Sequence, residues 1–263
     1  MISQFIYALK FIQYKLTSKH KKGHGIHSPF MFFLITKVLR KNIINDDLKA
    51  VLNAHKKIKK SKQKINYKEI GAGSKYKQQT SQKVSSIVRR SSITPKYGKL
   101  IYNLTCYFNP KNILELGSSV GISSMYISQA DRKANFISID GVYEKQQIAE
   151  KKSKELNQST KFICGDFDEI LETTLTKFDQ LDLVFFDGNH KKESTINYFN
   201  SCLNKIHNNT VFIFDDIHWS SEMEGAWDYI KNHKKVKVSV DLFRMGLIFF
   251  KQELSYEQFV IKF

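Results

Sequence analysis

The sequence has no apolar run that approaches the roughly 20 residues needed to cross a bilayer, and no signal-peptide pattern opens it. It has only three cysteines among 263 residues, and none of them forms a CxxC pair. A disulfide framework and a zinc knuckle are therefore not indicated, and we expect a reduced, cytoplasmic protein. The 41% of hydrophobic residues is enough for the core of one large α/β domain with an accessory segment.

Acidic residues are nearly missing from the first third of the chain. Residues 1–99 contain 23 lysines and arginines but only 3 acids, whereas residues 100–263 contain 19 basic and 22 acidic residues. A lysine-rich codon bias would raise lysine everywhere, but it would not remove acids from one third only. The net charge of +17 therefore indicates a basic surface over residues 1–99 that suits RNA, an anionic lipid face or a phosphorylated substrate.

The N-terminal third looks helical and irregular. Phe5, Ile6, Leu9, Ile12 and Leu16 recur at helical spacing. A break follows at residues 23–29, then an apolar helix over 30–39, a lysine-rich segment over 54–64, a loop at 71–74 and a further helix over 81–90. We predict a basic helical region over residues 1–95 and a second domain over residues 96–263.

From residue 112 onward, short apolar runs alternate with amphipathic segments. This alternation predicts an α/β fold with a Rossmann-like, seven-stranded, mostly parallel sheet. Only Arg244 and Met245 separate the last two runs, which is too short for a helical crossover, so the last strand should be antiparallel. The predicted strands are 112–116, 134–140, 161–164, 181–187, 210–215, 236–243 and 246–251, and the predicted helices are 122–129, 144–156, 168–174, 195–205 and 221–231.

A loop of small residues joins the first of these strands to its helix, in the sequence ELGSSVG at residues 115–121. Gly117 and Gly121 allow a ligand to approach the backbone closely, and the helix that follows offers amide donors. The spacing is not the GxGxxG of pyrophosphate-binding loops. A looser loop with Glu115 just ahead of it suits S-adenosylmethionine, which has no pyrophosphate.

The next two strands end in residues that extend this site. Asp140 is placed to accept the ribose hydroxyl protons, and Gly165, Asp166 and Phe167 are placed near an adenine. The alternative is that the acids cap helices and that Phe167 belongs to the core. The sequence predicts cofactor contacts from Glu115, Gly117, Ser118, Gly121, Asp140, Gly165, Asp166, Phe167 and Asp187.

The fourth and fifth strands end in an acidic cluster formed by Asp187, Asp215 and Asp216. Adjacent parallel strands bring these carboxylates together, and they repel one another unless a cation or protons neutralise them. An oxygen-rich site suits Mg²⁺, Ca²⁺ or Mn²⁺, which would lower the pKa of an acceptor hydroxyl. The three aspartates are thus the predicted metal ligands. Alternatively, Asp215 or Asp216 caps the next helix, while Asp187 touches only the surroundings of the cofactor.

Two histidines follow the acids of this cluster. His190 lies three residues after Asp187, where it can act as a general base near neutral pH. His218 is a candidate second base or metal ligand. We therefore predict His190 and Asp187 as the catalytic pair.

At these residues the sequence resembles class I S-adenosylmethionine-dependent methyltransferases. More narrowly, it resembles the catechol O-methyltransferase-like and macrolide-sugar O-methyltransferase-like group, and it looks like an uncharacterised bacterial subgroup of it. The resemblance covers about residues 91–252 and rests on ELGSSVG at 115–121, SID at 138–140, FFDGNH at 185–190 and FIFDDIHW at 212–219.

The resemblance implies roles for several of these residues. It assigns a divalent metal to Asp187, Asp215 and Asp216, although catechol-type members have Asn at the position of Asp216. It also assigns the base to His190, and closure over the cofactor to residues 91–97. Five βα units closed by an antiparallel strand are typical of these enzymes rather than of dehydrogenases.

Together these patterns predict metal-assisted O-methylation of a small or glycan-like hydroxylated acceptor. The alternative is an RNA methyltransferase that binds RNA phosphates with its basic N-terminal region. A third hypothesis places residues 5–16 at an anionic membrane face. The sequence does not predict the acceptor, the metal or the oligomeric state.

Overall fold

The computed structural model describes residues 2–20, 22–68 and 79–263. The chain divides into two compact units, which we describe separately: the first unit contains the residues up to 40 together with 172–263, and the second contains 41–171. The loop predicted at 71–74 lies outside the described residues. The boundary predicted between residues 95 and 96 stays a prediction.

The second unit contains three parallel strands that lie side by side. β3 pairs with β4, and β4 pairs with β5. Ile113, Leu114 and Leu116 are all buried, as expected for a parallel strand covered on both faces. The strands are β3 (Asn112–Leu116), β4 (Asn135–Asp140) and β5 (Lys161–Cys164); the helices are α3 (Asp46–Ile58), α4 (Val84–Ser91), α5 (Pro95–Phe108), α6 (Ile122–Ala130), α7 (Tyr143–Glu155) and the start of α8 (Phe167–Leu175).

A separate antiparallel hairpin in this unit joins β1 (Lys64–Lys68) to β2 (Gln79–Lys83). The sequence predicts a helix from residue 81, but residues 81–83 belong to β2 and the helix begins at Val84. The reason is pairing across the chain, because Ser81 and Gln82 face Asn66 and Ile65 on β1. Such non-local pairing overrides local helical preference.

The first unit contains the remaining five strands of the central sheet, in the order β6-β7-β9-β8-β10. β9 runs antiparallel to both β7 and β8, so the predicted terminal hairpin is confirmed. The elements are α1 (Ile2–Thr17), α2 (Pro29–Phe33), a π-helical turn (Leu34–Leu39), β6 (Leu181–Phe186), α9 (Lys192–Cys202), β7 (Ile206–Phe214), α10 (Ser221–Lys231), β8 (Val238–Asp241), β9 (Gly246–Phe249) and β10 (Glu257–Val260).

The mostly parallel, Rossmann-like sheet with an N-terminal helical region is confirmed, with eight strands instead of seven. The additional strand is β10, which pairs parallel to β8. Its residues are alternately half-buried and exposed, so it contains no apolar run that the sequence pattern could reveal. Over residues 2–20, 22–68 and 79–263, no helix combines the length and the apolarity that spanning a membrane requires.

Helix α1 packs within the first unit through a face that the apolar periodicity does not predict. Leu9, Ile12 and Leu16 are exposed, at 49%, 55% and 80%. Instead, Tyr14 is buried, and its hydroxyl donates to the carbonyl oxygen of Ile261 at 2.5 Å. Aromatic residues of α1, including Tyr14, also recur at helical spacing. Such residues combine a large contact area with a polar tip, which explains why the aromatic face of α1 packs against the rest of the first unit.

Candidate active site

The loop between β3 and α6 has the backbone geometry of a close ligand approach. Gly117 and Gly121 have φ values of +105° and +81°, a region that favours glycine. A Cβ atom at Gly121 would lie 2.7 Å from the Cβ atom of Ala149, so a larger residue does not fit there. Ser119 also adopts a positive φ, at +46°.

Asp140, at the end of β4, holds this loop in place. Its carboxylate accepts hydrogen bonds from the backbone N–H of Ser119 at 2.7 Å and from that of Val142 at 2.9 Å. Burial raises the pKa of Asp140, while these two N–H groups act to lower it. The carboxylate predicted to bind the ribose is thus also the residue that shapes the glycine loop.

The loop contains polar atoms that suit a bound nucleoside. Within the described part of the chain, the hydroxyl oxygens of Ser118 and Ser119 are shielded from solvent and have no hydrogen-bond partner. A shielded hydroxyl without a partner is costly unless a ligand or water satisfies it. Together with the two glycines and Asp140, these hydroxyls fit the polar part of S-adenosylmethionine.

Glu115 lies deeper than the loop that follows it. Its side chain is wholly buried, and one carboxylate oxygen accepts hydrogen bonds from the hydroxyls of Ser124 and Ser138. Burial raises the pKa of Glu115 to about 7, opposed by its serine hydrogen bonds. In this position Glu115 supports the loop from below, and its predicted contact with the cofactor stays a prediction.

The residues after β5 favour helix capping, the alternative to cofactor contact, as the role of Asp166. The Asp166 side chain accepts a hydrogen bond from the backbone N–H of Asp168 at 3.0 Å, and its carbonyl oxygen accepts from Ile170 at the start of α8. Phe167 is buried at 9% exposure. The N–H of Gly165 donates to the carbonyl oxygen of Asp140 at 3.0 Å, so this segment lies directly beside the end of β4.

A cavity of about 280 Å³ opens in the second unit beside these strand ends. The cavity is lined by residues that follow Asp140 and by Cys164 at the end of β5, which is where the sequence predicts the nucleoside. Strand β1 of the hairpin contributes the other wall. The lining residues are Asn66, Tyr67, Lys68, Gly141, Val142, Tyr143, Glu144 and Cys164.

In the first unit, the acidic cluster is held together by an arginine. Arg244 Nη2 lies 2.8 Å from Asp215 Oδ2, and its Nε lies 3.1 Å from Asp215 Oδ1 and 3.3 Å from Asp216 Oδ1. Asp215 is wholly buried, and Asp216 adopts a positive φ of +54°. Burial and the neighbouring Asp215 raise the pKa of Asp216, while Arg244 acts against both.

These carboxylates do not fit a divalent cation in this arrangement. Both oxygens of Asp215 accept from Arg244, which also lies against Asp216. Among the residues that the structure describes, no group of three or more His, Cys, Asp or Glu side chains is arranged to hold a metal ion. The carboxylates have the counter-charge that their proximity requires, and its source is Arg244.

His190 lies at the edge of this cluster. Its Nε2 is 3.9 Å from Asp187 Oδ1, and the preceding residue, Asn189, adopts a positive φ of +50°. Burial lowers the pKa of His190, the charge of Asp215 raises it, and that of Arg244 lowers it further. The net shift is downward, so the imidazole is neutral at pH 7 and able to accept a proton.

His218 is placed differently from His190. Its Nε2 lies 2.7 Å from Asp241 Oδ2 and its Nδ1 lies 3.1 Å from Glu224 Oε1. Burial acts to lower the pKa of His218, but the hydrogen bonds and charges of Asp241 and Glu224 together raise it. Because both ring nitrogens bind carboxylates, His218 bridges two acids, and neither nitrogen is left open for the role of a second base or a metal ligand.

Comparisons with known proteins agree with this fold. Residues 114–217 match the family model of a methyltransferase domain. Similar solved structures include the Podospora anserina methyltransferase PaMTH1 with bound S-adenosylhomocysteine, at 14% identity and a TM-score of 0.58 over 81% of this chain and 91% of that chain. The chain carries a class I S-adenosylmethionine-dependent methyltransferase domain.

Two further structures are similar to this methyltransferase. The O-methyltransferase of Bacillus cereus in complex with S-adenosylhomocysteine has 14% identity and a TM-score of 0.55, over 83% of this chain and 96% of that chain. TomG of Streptomyces achromogenes, an O-methyltransferase in complex with S-adenosylmethionine, has 16% identity and a TM-score of 0.55, over 84% and 95%. No curated protein matches the chain significantly.

Sequence reasoning missed three residues of the methyltransferase that face its candidate sites. Tyr67 lines the cavity from a hairpin that no local pattern relates to β4. Tyr7 packs 5.1 Å from the ring of Phe243, and burial followed by the charge of Asp216 raises its pKa. Of the three, only Arg244 could have been noticed in the sequence. Residues 100–263 contain 17 lysines but only two arginines, and Arg244 is the arginine that lies in a turn between strands.

Proposed function

We propose that this methyltransferase transfers the methyl group of S-adenosylmethionine to a hydroxyl oxygen of a small or glycan-like acceptor, with His190 as the general base. The observation that carries the proposal is the position of His190, whose Nε2 lies 3.9 Å from Asp187 Oδ1 at the edge of the buried acidic cluster, where burial lowers its pKa. A neutral histidine near a carboxylate is suited to accept the hydroxyl proton as the oxygen attacks.

His190 and Asp187 divide the proton chemistry between them. The imidazole takes the proton of the acceptor hydroxyl at Nε2, and the carboxylate of Asp187, 3.9 Å away, stabilises the imidazolium that results. S-adenosylmethionine, when bound, supplies an electrophilic methyl group. Much of the rate acceleration then comes from holding the acceptor oxygen in line with that group.

The second unit supplies the residues that we propose hold the cofactor. Gly117 and Gly121 let it approach the backbone, and Ser118 offers a hydroxyl without a partner in the described chain. Asp140 would accept hydrogen bonds from the ribose hydroxyls, and the segment of Gly165, Asp166 and Phe167 would hold the adenine. The predicted cofactor contact of Asp187 stays a prediction.

A divalent cation has no step in this mechanism, because the carboxylates predicted to bind it do not fit one while Arg244 is paired with them. The acceptor class is supported by two similar structures that are described as O-methyltransferases. These relatives favour an oxygen acceptor over the alternative of RNA.

The test uses the purified chain with methyl-labelled S-adenosylmethionine and, in separate reactions, a small-molecule extract and total RNA. We expect label in hydroxylated small molecules and a rate that rises with pH, with its midpoint below the ordinary histidine pKa of about 6.5. His190→Gln should lower the rate roughly 10²- to 10⁴-fold, the usual contribution of a general base. Label found only in RNA would overturn the proposal.

His207 provides a matched control on the same pair of strands. It binds Asp182 at 2.8 Å near the opposite ends of β6 and β7, so it repeats the histidine–aspartate pair away from the acidic cluster. His207→Gln should leave the rate and its pH profile unchanged. Equal losses in the two variants would show that His190 matters for folding rather than for proton transfer.

A further inference from the structure

The acidic cluster in the first unit poses a charge problem that the chain must solve. Asp215 is wholly buried, Asp216 is mostly buried at 21% side-chain exposure, and Asp187 is 10% exposed. An isolated buried carboxylate is very costly, so such a group is paired, protonated or bound to a metal. The cluster therefore requires a cation or protons close to its oxygens.

Arg244 meets this requirement with the geometry that carboxylates favour. Its Nε and Nη2 approach the two oxygens of Asp215 at 3.1 and 2.8 Å, which is the forked arrangement of an arginine–carboxylate pair. The same Nε lies 3.3 Å from Asp216 Oδ1. One guanidinium thus contacts two adjacent carboxylates, as a shared metal ion would, and its single charge is paired with that of Asp215.

The backbone around Arg244 is held so that the side chain points into the cluster. The carbonyl oxygen of Arg244 accepts from the N–H of Ile217, directly after the two aspartates, at 3.2 Å. Before it, Phe243 has a φ of +71°, and its N–H donates to Asp241 Oδ1 at 2.7 Å. A bulky residue in this region is strained, and such strain persists where the surroundings enforce it.

A second set of charges fixes the other side of the turn. Asp241 also binds His218, which binds Glu224, and Glu224 binds Lys10 of α1 at 2.5 Å. The ring of His218 stacks on that of Phe243 with centroids 5.3 Å apart. The position of Arg244 is therefore determined by both hydrogen bonds and packing.

We propose that Arg244 is the resident cation of this methyltransferase, in the place that the sequence pattern assigns to a divalent metal, and that it positions Asp215 and Asp216. Arg244 acts through the two aspartates and is a positioning residue. The proposal concerns how the cluster is neutralised, so it holds or fails independently of the acceptor and of the role of His190.

The test is a titration of the full-length chain with Mn²⁺ alone, followed by electron paramagnetic resonance of the free ion. The native chain should bind no Mn²⁺ through Asp215 up to about 1 mM, the weak end of the range for oxygen-ligand sites. Arg244→Ala should gain about one bound ion per chain, because the aspartates lose their cation. Adding Asp215→Asn to that variant should abolish the gain.

Arg132→Ala is the matched control, since Arg132 is the other arginine of residues 100–263 and binds Asp47 at 2.8 Å on the surface. It should gain no Mn²⁺ binding. An Arg244→Ala chain that folds, as judged by thermal unfolding, and still binds no Mn²⁺ would overturn the proposal. The native titration does not depend on any variant folding: if the native chain binds Mn²⁺ and Asp215→Asn abolishes that binding, the proposal is wrong.

Discussion

Glu115 in the second unit and Asp215 in the first are both wholly buried acids, yet their charges are handled in opposite ways. The partners of Glu115 are serine hydroxyls, and burial raises its pKa to about 7. Asp215 is instead paired with Arg244 through both carboxylate oxygens. A buried acid can thus be tolerated by protonation or by an ion pair, and the two solutions respond differently to mutation and pH.

The largest effect should come from removing the arginine. Arg244→Ala leaves Asp215 buried without its counter-charge, and such a change typically costs about 3–5 kcal/mol. Urea unfolding at pH 7 should show this loss, and the double variant with Asp215→Asn should recover much of it. A single variant as stable as the native chain would mean that Arg244 is not what neutralises Asp215.

Glu115→Gln should stabilise the chain at neutral and alkaline pH, whereas Arg244→Ala destabilises it. The folded chain binds this proton more tightly than the unfolded chain, so the native protein loses stability as the pH rises from about 4.5 to about 7. The glutamine variant lacks this loss and should be more stable at pH 8 by roughly 3 kcal/mol, with little difference at pH 4. Unfolding curves at the two pH values measure it.

Glu155→Gln is the control for this comparison, because it makes the same change at an exposed residue paired with Lys152. It should alter stability by less than about 1 kcal/mol at either pH. If Glu115→Gln and Glu155→Gln behaved alike, the serine-bound acid would be an ordinary ionised carboxylate.

A smaller effect is expected at the loop that Glu115 supports. Gly121→Ala places a Cβ atom 2.7 Å from that of Ala149 at a φ of +81°. This change should lower the free energy of unfolding by about 1–3 kcal/mol. It should also weaken the binding of S-adenosylhomocysteine, which calorimetry measures. Gly225→Ala in α10 meets only the flexible end of Lys192 at 3.1 Å, so it should not weaken the affinity and should raise stability by at most about 1 kcal/mol. Unchanged affinity in Gly121→Ala would remove the loop from the proposed cofactor site.

The smallest effect concerns His218, which bridges Asp241 and Glu224. Its pKa is raised in the folded chain, so its contribution is fully present below about pH 6.5 and is lost as the pH rises through the folded value. His218→Gln should therefore cost about 1–2 kcal/mol at pH 6 and less at pH 9. Asp241→Asn should remove the same pH dependence, and an equal cost of His218→Gln at both pH values would contradict the bridge.

The parts of the fold that follow from short-range pattern could be predicted. The strand ends at Asp140, Asp187 and Asp215 could be located from the sequence, because buried parallel strands appear in it as apolar runs that end at polar residues. Strand β10 and hairpin β1–β2 could not, because their pairing partners lie far along the chain and their own residues show little contrast.

The same limit applies to the candidate site. The sequence showed that acids of the first unit gather at the ends of β6 and β7, and electrostatics then required a counter-charge. Which cation supplies it depends on a turn almost 30 residues further on, because the pairing of β9 with β7 brings Arg244 next to Asp215. No local spacing relates those two residues.

The sequence by itself thus determined the class of fold, the glycine loop and the presence of a methyltransferase domain, because these depend on apolar periodicity and contiguous motifs. Only the tertiary structure decided that the acidic cluster is paired with Arg244, that His218 is a bridge, and that Tyr7 of α1 packs beside Phe243. The physical reason is that charge pairing and side-chain packing act over a few ångströms in space, whatever the separation along the chain.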